Sequence, residues 1–254
     1  MIKYYYKMIV PERKRIRLRI WLRQLLHVFY LGNRFKCNCC NKTFRKFLPK
    51  GRQKRKNAVC PYCGSLERTR ILDLYLSNEY EIHKQKKTKL LHFAPEDCLS
   101  KKLSTLEIEY TDGDINPAVA RNRIDIMDIH YEDNYFDLII CAHVLAHVTD
   151  EKKAISELFR VLSPKGQALI LTLIPRDLEQ TIELNDKQLI DEKLFWYMDT
   201  DLLRLHGADF GDKLERQGFV VQKIDYRKKL SADVIVKNSL GNGEREIIYL
   251  CKKQ

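Results

Sequence analysis

Hydrophobic and polar residues follow an α/β pattern through the C-terminal two thirds of the chain. Short apolar runs at 90–94, 137–142 and 168–174 are separated by segments with helical spacing, such as 150–162. The run at 137–142 has no polar alternation, which is typical of a strand covered on both faces. Strands separated by helix-length segments predict an open, mostly parallel sheet. The same patterns predict helices at 66–80, 99–106 and 212–217, and strands at 108–111, 219–226 and 246–251.

The N-terminal segment at 12–30 interleaves basic and apolar side chains. Leu18, Leu22 and Leu25 recur at helical spacing, which predicts a basic amphipathic helix. The strict alternation at 15–20 would also suit a strand. A helix of this kind either docks on the protein or lies on a membrane surface, and the pattern leaves both open.

Two cysteine pairs follow, and each contains the C-x-x-C spacing of a zinc knuckle. Structural zinc takes four thiolates in a tetrahedron, and two knuckles brought together by a hairpin supply them. The doubled spacing favours metal binding over buried thiols or a redox couple. A closed four-thiolate shell has no open position for chemistry, so the zinc is expected to be structural. The assigned ligands are Cys37, Cys40, Cys60 and Cys63, which leaves Cys39 spare.

The polar run at 83–89 marks a linker between two parts of the chain. We expect a basic arm (1–35), a four-cysteine module with a following helix (36–88) and an α/β domain (89–254). An insertion at 175–210 belongs to the α/β domain.

Composition adds a strong positive charge to this picture. The chain has 46 Lys and Arg against 34 Asp and Glu, a net charge of +12. This balance favours a polyanionic partner or an anionic membrane, although a solvated basic surface would give the same count. No apolar run approaches the roughly 18–20 residues that span a bilayer, and the pattern of a secretory signal is missing. We therefore expect a cytoplasmic protein whose cysteines bind metal rather than form disulfides.

A candidate ligand site lies where the strands of the α/β domain end, because open α/β sheets bind ligands at the carboxyl ends of their strands. The first strand ends at Ala94, and no glycine-rich loop follows it. The second strand ends at 110–114, where Asp114 could hold a ribose diol through two hydrogen bonds. The alternative role for Asp114 is that of a turn or cap residue.

The segment at 125–137 resembles one that class I methyltransferases share, an Asp followed after a short spacer by Leu-Pro-Phe-x-Asp-x-x-Phe-Asp. The resemblance continues through 141–148 and 157–166. Residues 60–68 are similar to the Cys-Pro-x-Cys-Gly-Ser-Leu-Glu-Arg stretch of zinc-ribbon methyltransferases, which are often encoded with polysaccharide biosynthesis genes. Residues 92–96 match their His-Phe-Ala-Pro-Glu strand end. The order and spacing of these motifs are more specific than any single one.

The resemblance implies a Rossmann-like class I methyltransferase sheet, mostly parallel with an antiparallel last strand, that binds S-adenosylmethionine. By position, Asp114 would bind the ribose and Asp125 the adenine amino group. For the apolar positions, plain core packing is the alternative. The other positions carried over are Ile115, Ile126 and Met127 at the adenine, Phe93, Ala94, Pro95 and Glu96 beside the methionine part, and Cys141 and His143 near the sulfonium.

Methyl transfer to a hydroxyl also needs a group that takes the proton. His143 and His147 follow the strand at 137–142, and on a helix their spacing would place both on one face. We expect His143 to be the base, with His147 second, and a structural histidine is the alternative for each. Ala146 stands where the related sequences have Glu, which leaves open whether the chain uses another group or is impaired.

The insertion at 175–210 carries aromatic and charged residues that suit a sugar or a phosphorylated acceptor. A packing lid that makes no contact with the acceptor is the alternative. The predicted substrate residues are Thr181, Glu183, Trp196, Arg204 and His206.

The leading hypothesis is O-methylation of a saccharide or glycolipid intermediate, by a cytoplasmic protein whose arm rests at the inner face of the membrane. RNA methylation is the rival, favoured by the net charge and by the basic loop at 51–56. A third hypothesis is a protein that binds the cofactor or a partner without catalysis. The sequence indicates neither the acceptor atom nor the oligomeric state.

Overall fold

A computed structural model of the chain describes residues 10–51, 54–184 and 202–253. The helices and strands, in chain order, are α1 Glu12–Leu26, β1 Leu31–Lys36, β2 Thr43–Phe44, β3 Leu48–Lys50, β4 Arg55–Val59, α2 Glu67–Asn78, β5 Lys89–Phe93, α3 Asp97–Leu103, β6 Glu109–Asp114, β7 Asn122–Arg123, β8 Phe136–Ala142, α4 Glu151–Val161, β9 Leu162–Leu171, β10 Ile182–Glu183, β11 Arg204–Leu205, α5 Phe210–Glu215, β12 Phe219–Ile224, α6 Ala232–Asn238 and β13 Ile248–Lys253.

The centre of the fold is a seven-stranded sheet with the order β12–β13–β9–β8–β5–β6–β7. Strands β7, β6, β5, β8 and β9 are parallel to one another. Strand β13 is antiparallel to both of its neighbours, β9 and β12. This topology confirms the expected Rossmann-like sheet, mostly parallel with an antiparallel last strand. The chain order reverses at β5, and sheets of this kind bind ligands beside such a switch point.

Both faces of the sheet are covered, as the uniform apolar run in β8 predicts. Residues 138–142 are all buried. Their side chains alternate between two hydrophobic clusters, one of which includes Ile155 and Leu158 of α4. The other includes Ile71 and Leu72 of α2. The strand therefore has no solvent-facing side that would call for polar residues.

Helix boundaries differ from the predictions by up to four residues, the largest difference being at α1, which ends at Leu26 within the predicted segment 12–30. Helix α3 begins at Asp97 instead of residue 99 and ends at Leu103, and α5 occupies 210–215 instead of 212–217. Asp150 caps α4, because its Oδ1 accepts the backbone N–H of Lys153 at 2.9 Å.

The N-terminal segment forms a helix, α1, rather than a strand. It buries no residue fully. Its Arg23 side chain donates to the carbonyl oxygens of Tyr62 and Cys63, at 3.1 and 3.0 Å, so the helix lies against the second cysteine pair. None of the helices in the described ranges has both the length and the apolar composition that crossing a bilayer requires.

Two antiparallel hairpins, β1–β2 and β3–β4, form the cysteine module. Its small core consists of Phe35, Phe44 and Phe47 together with Cys37 and Cys60. A core of this size buries too little apolar surface to hold a fold by itself, so the module depends on further links.

One such link is the fully buried side chain of Arg70, on α2. Its guanidinium donates hydrogen bonds of 2.6–3.1 Å to four backbone carbonyls. Two acceptors belong to the cysteine module and two to the C-terminal end of α6, which is part of the α/β domain. The acceptors are Ala58, Ser65, Asn238 and Ser239.

We predict that Arg70→Met destabilises the protein by about 3 kcal/mol or more, because several buried carbonyls would lose their donor at once. The matched control is Arg216→Met, at an exposed position after α5, which should change stability by less than about 0.5 kcal/mol. Urea unfolding followed by far-UV circular dichroism measures both. Equal midpoints for the two variants would contradict the role given to Arg70.

Candidate cofactor and metal sites

The carboxyl ends of β5, β6 and β8 meet at one edge of the sheet. Phe93, the last residue of β5, pairs with Gly113 on β6 and with Cys141 on β8. Asp114 follows Gly113 and pairs with Arg123 of β7. The predicted cofactor residues on these strands therefore lie at the same edge.

The two acidic residues of the predicted site lie at the ends of neighbouring strands. Asp114 ends β6, and Asp125 lies two residues beyond the end of β7. One carboxylate oxygen of each accepts a nearby backbone N–H: Asn116 donates to Asp114 at 2.7 Å, and Met127 donates to Asp125 at 2.8 Å. These hydrogen bonds fix the orientation of both carboxylates. Burial raises the pKa of Asp114, and the negative charge of Glu12 on α1 adds to this effect.

The apolar residues of the predicted site have different environments. Phe93, Ile126 and Cys141 are buried members of the cluster beneath the sheet edge, and Met127 packs partly buried against it. Ile115, by contrast, is exposed. The buried members thus have a packing role, whatever further contact they make with a ligand. Burial also raises the pKa of Cys141 to about 12, so its thiol stays protonated.

The turn after β5 occupies the place where a glycine-rich loop would lie. Ala94 has a φ of +46°, in the left-handed region. Its N–H donates to the carbonyl of Gly113 at 3.0 Å, which ties the turn to β6. A non-glycine residue in this conformation costs about 1–2 kcal/mol, so the chain tolerates local strain at this position. Pro95 and Glu96 follow the turn.

Glu96 lies in a polar network that the sequence analysis did not anticipate. The fully buried His92 lies between the Tyr110 hydroxyl, at 3.0 Å, and the Glu96 carboxylate, at 3.2 Å. The Thr69 hydroxyl on α2 donates to the other oxygen of Glu96 at 3.3 Å. Burial raises the pKa of Glu96, but the His92 hydrogen bond and the charge of Arg68 outweigh it, so the net pKa is lowered and Glu96 is ionised.

Arg68, in the first turn of α2, reaches the same edge of the sheet from the cysteine module. Its Nε lies 3.6 Å from Glu96. This Nε is buried, and it has no hydrogen-bond partner among the described residues. The charge of Arg68 also acts on His143, at the end of β8. Arg68 therefore lies beside Glu96, a residue expected to border the methionine part of the cofactor. It is the last residue of the stretch at 60–68 that resembles zinc-ribbon methyltransferases, but the sequence analysis gave it no role at the cofactor.

His143 has the geometry of a neutral imidazole. Burial lowers its pKa well below the ordinary value, and the positive charges of Arg68 and Arg245 act in the same direction. Its Nε2 lies 3.1 Å from the carbonyl oxygen of Arg245. A carbonyl can only accept, so Nε2 carries the proton and Nδ1 is left with the lone pair.

The expected common helix face for His143 and His147 is wrong. His143 has a φ of +60°, and its N–H donates to the carbonyl of Leu171 at 2.7 Å. Only Leu145–His147 form a helical turn, of the 3-10 type. Ala146 is buried there, and its carbonyl accepts the N–H of Leu203. The left-handed residue separates the two histidines into different local structures.

Of the predicted substrate residues of the insertion, Arg204 binds the loop after β8 and Glu183 binds Arg204. Arg204 is buried and donates to the carbonyls of Leu145 and Val148, at 2.8 and 2.7 Å. It also forms an ion pair with Glu183, at 3.0 Å. These contacts fit a packing role for both side chains, and contact with an acceptor stays a prediction.

The other described substrate candidates also have internal partners. His206 is fully buried between the Thr172 hydroxyl, at 2.6 Å, and Glu151, at 2.5 Å. Burial raises the pKa of Glu151, but the hydrogen bonds and charges of His206 and Lys213 lower it to about 2. The Thr181 hydroxyl donates to Asp209 at 2.7 Å. Trp196 lies outside the described residues.

The four predicted zinc ligands converge. The Sγ atoms of Cys37, Cys40, Cys60 and Cys63 all lie within 4.8 Å of one another. The Cys37–Cys63 distance is 3.5 Å and the Cys40–Cys60 distance is 3.8 Å. Sulfurs at the corners of a zinc tetrahedron, each about 2.3 Å from the metal, are separated by about 3.8 Å. The four thiols therefore fit a tetrahedral zinc ion.

Comparison with known proteins places the α/β domain. Residues 97–170 match the family described as "Methyltransferase domain". The ubiquinone/menaquinone biosynthesis C-methyltransferase UbiE of Vibrio cholerae is 41% identical over 59 residues, which is 23% of this chain and 23% of that protein. Ajmaline N-methyltransferase of Rauvolfia serpentina is 32% identical over 69 residues, 26% of this chain and 24% of that protein. The chain thus spans about a quarter of the length of these curated relatives.

Two solved structures have a similar fold. An S-adenosylmethionine-dependent methyltransferase from Mesorhizobium loti has a TM-score of 0.50 at 14% identity, over 71% of this chain and 97% of that chain. The [4+2]-cyclase SpnF has a TM-score of 0.51 at 14% identity, over 71% and 81%. At this identity the likeness concerns the fold alone. Residues 97–170 are therefore similar to a methyltransferase domain, and the α/β domain has the fold of class I S-adenosylmethionine-dependent methyltransferases.

Proposed function

We propose that this protein transfers a methyl group from S-adenosylmethionine to an acceptor bound beside the ends of β5 and β8. The observation that carries the proposal is the placement of two oriented carboxylates, Asp114 and Asp125, at the ends of neighbouring strands. Asp114 would accept hydrogen bonds from the ribose hydroxyls, and Asp125 would accept one from the adenine amino group. The bound cofactor would supply the electrophilic methyl group.

Arg68 completes the proposed cofactor site on the methionine side. The cofactor ends in a carboxylate, and a guanidinium is the side chain best suited to bind one. The buried Nε of Arg68 lacks a hydrogen-bond partner among the described residues and lies close to the turn that precedes Glu96. Glu96 already has hydrogen bonds with His92 and Thr69. Only the ion pair between Glu96 and Arg68 would therefore compete with the carboxylate of the cofactor for Arg68.

Cofactor binding tests both assignments with two ligands, S-adenosylhomocysteine and 5′-methylthioadenosine, which lacks the carboxylate. We predict that Asp114→Ala weakens the binding of both ligands by about tenfold or more, because both contain the ribose. Arg68→Gln should weaken only S-adenosylhomocysteine, by about tenfold to a hundredfold, and leave 5′-methylthioadenosine unchanged. Isothermal calorimetry gives the six dissociation constants, one for each ligand with each variant and with the unsubstituted protein.

An equal loss for both ligands in Arg68→Gln would mean that Arg68 acts only through the fold. An Asp114→Ala or Asp125→Ala protein that binds the cofactor as tightly as the unsubstituted protein would reject the adenosyl site.

His143 would take the acceptor proton through Nδ1. Its lowered pKa keeps the imidazole unprotonated across the neutral range, so the base is always available although it is weak. A structural role that fixes the loop after β8 remains the competing account of the same hydrogen bond to Arg245.

The cysteine cluster would hold one structural zinc ion. Four thiols at tetrahedral spacing fit zinc, and the shell is closed, so the metal would take no part in the chemistry. The second cysteine pair leads directly into α2, which carries Arg68. Zinc would therefore stabilise the turn that presents Arg68 to the cofactor.

We predict one zinc ion per chain in the purified protein, measured by plasma mass spectrometry. Cys40→Ser should lose it, whereas the neighbouring Cys39→Ser should keep it, because Cys39 lies outside the four-thiol cluster. A Cys40→Ser protein with full zinc content and unchanged thermal stability would contradict the assignment.

The proposed acceptor is a saccharide or glycolipid that carries a phosphate group. A groove of about 450 Å³ runs between α1 and the segment after β5. Its lining includes Arg13, Arg17 and Arg121, and guanidinium groups bind phosphate by paired hydrogen bonds. RNA methylation is the second candidate, since the basic loop at 51–56 adds to the same positive charge.

Release of S-adenosylhomocysteine in the presence of sugar nucleotides, lipid-linked sugars or RNA measures which acceptor is used. We predict turnover with a phosphorylated saccharide and none above background with RNA. Turnover with RNA alone would favour the rival. Cofactor binding without turnover on any pool would favour a non-catalytic role, and Ala146→Glu would then test whether the missing carboxylate restores activity.

A further inference from the structure

Helix α1 is attached to the protein at both of its ends. Near its C-terminal end, Arg23 donates to the carbonyls of Tyr62 and Cys63. Gly64 makes room for this guanidinium, since a Cβ at that position would lie 2.1 Å from Arg23. At the N-terminal end, Glu12 accepts a hydrogen bond from the Asn116 side chain at 3.1 Å. The helix therefore has one face turned toward the protein and one turned away.

The face turned away carries an apolar stripe. Trp21 is 54% exposed and Phe29 is 67% exposed. Leu18, Trp21, Leu22 and Leu25 recur at intervals of three or four residues, which places them on one side of α1, and Phe29 follows in the 3-10 turn His27–Tyr30. Eight of the twelve large hydrophobic side chains that are exposed in the described part of the chain lie at 18–31. They are Leu18, Trp21, Leu22, Leu25, Leu26, Val28, Phe29 and Leu31.

The same helix is strongly basic. It carries six Arg and Lys side chains and a single acidic one, Glu12. Four of these cations are exposed, namely Arg13, Lys14, Arg17 and Arg19. Three of the four, Arg13, Arg17 and Arg19, also line the groove between α1 and the segment after β5. An exposed apolar stripe bordered by cations matches a surface that offers hydrocarbon beneath negative charge.

Other occupants fit the face less well. A second copy of the chain would bring two sets of six cations together across a symmetric interface, and like charges oppose such pairing. RNA would satisfy the cations, but it offers no aliphatic surface against which the leucines of the stripe could be buried.

We infer that α1 lies in the interfacial plane of an anionic bilayer, with the stripe inserted among the acyl chains and the basic residues at the headgroups. Because Glu12 contacts Asn116, two residues beyond Asp114, the proposed cofactor site would then be held close to the membrane surface. Together with the proposed function, this orientation makes a lipid-linked acceptor the class of substrate that the site can reach.

Sedimentation of the full chain with vesicles tests the inference. We expect binding to vesicles of phosphatidylcholine with about 30% phosphatidylglycerol, and much weaker binding to phosphatidylcholine alone. Trp21→Ser combined with Leu25→Ser should lower the partition coefficient by about tenfold or more. The matched control is Val220→Ser combined with Val236→Ser, which removes two exposed apolar side chains outside residues 18–31 and should leave binding unchanged.

Insertion of Trp21 is measured separately. The chain has two tryptophans, so Trp196→Phe leaves Trp21 as the sole tryptophan. Its emission should shift to the blue on anionic vesicles and should be quenched by brominated acyl chains. Unchanged affinity for S-adenosylhomocysteine in the Trp21→Ser, Leu25→Ser protein would show that the fold and the cofactor site are intact.

Three results would overturn the inference. In the first, the stripe variant binds vesicles as well as the unsubstituted protein, and salt abolishes this binding. That result would indicate adsorption by net charge alone. The second is a dimer in analytical ultracentrifugation that becomes a monomer when the stripe is substituted, with no vesicle binding. The third is the absence of binding to anionic vesicles by the unsubstituted protein.

Discussion

A single buried guanidinium fixes the relation between the cysteine module and the α/β domain. Arg70 is fully buried, and its partners are backbone carbonyls from both parts of the molecule. A charge placed there must keep every one of these acceptors, since an unsatisfied buried ion is among the costliest defects a fold can carry. The position of α2 is therefore fixed by contacts with both the cysteine module and the α/β domain. Arg68 and Thr69 precede Arg70 in the same helix, so the constraint extends to the network around Glu96.

This arrangement gives the cysteine module a role beyond that of an appended domain. A continuous path leads from the second cysteine pair to the turn after β5. Cys63 is followed by the first turn of α2, where Arg68 forms an ion pair with Glu96. Helix α1 adds a second connection, from Cys63 to Asn116 beside Asp114. A disturbance at the thiol cluster would therefore reach both ends of the proposed cofactor site.

The sequence predicted those features that are local or periodic. The apolar run of β8 foretold its two buried faces, and the cysteine spacing foretold four converging thiols. Features that depend on distant partners were not predictable: Arg70 meets a carbonyl 168 positions away, at Asn238. The prediction that His143 and His147 share a helix face was wrong because His143 adopts a left-handed backbone conformation. The spacing of two residues in the sequence does not indicate such a conformation. The internal partners of Arg204 and His206 were not predictable either, because they include residues that are 59 and 55 positions away in the sequence.

The left-handed Ala94 has a consequence for how such domains are recognised. Glycine is favoured at this turn because it lacks a Cβ, but here a methyl group is accommodated and the turn is still tied to β6. A glycine at this turn is thus not necessary for an α/β sheet of this topology. Surveys that filter α/β chains by glycine count after the first strand would discard relatives of this protein, whereas a filter on strand-end carboxylates would retain them.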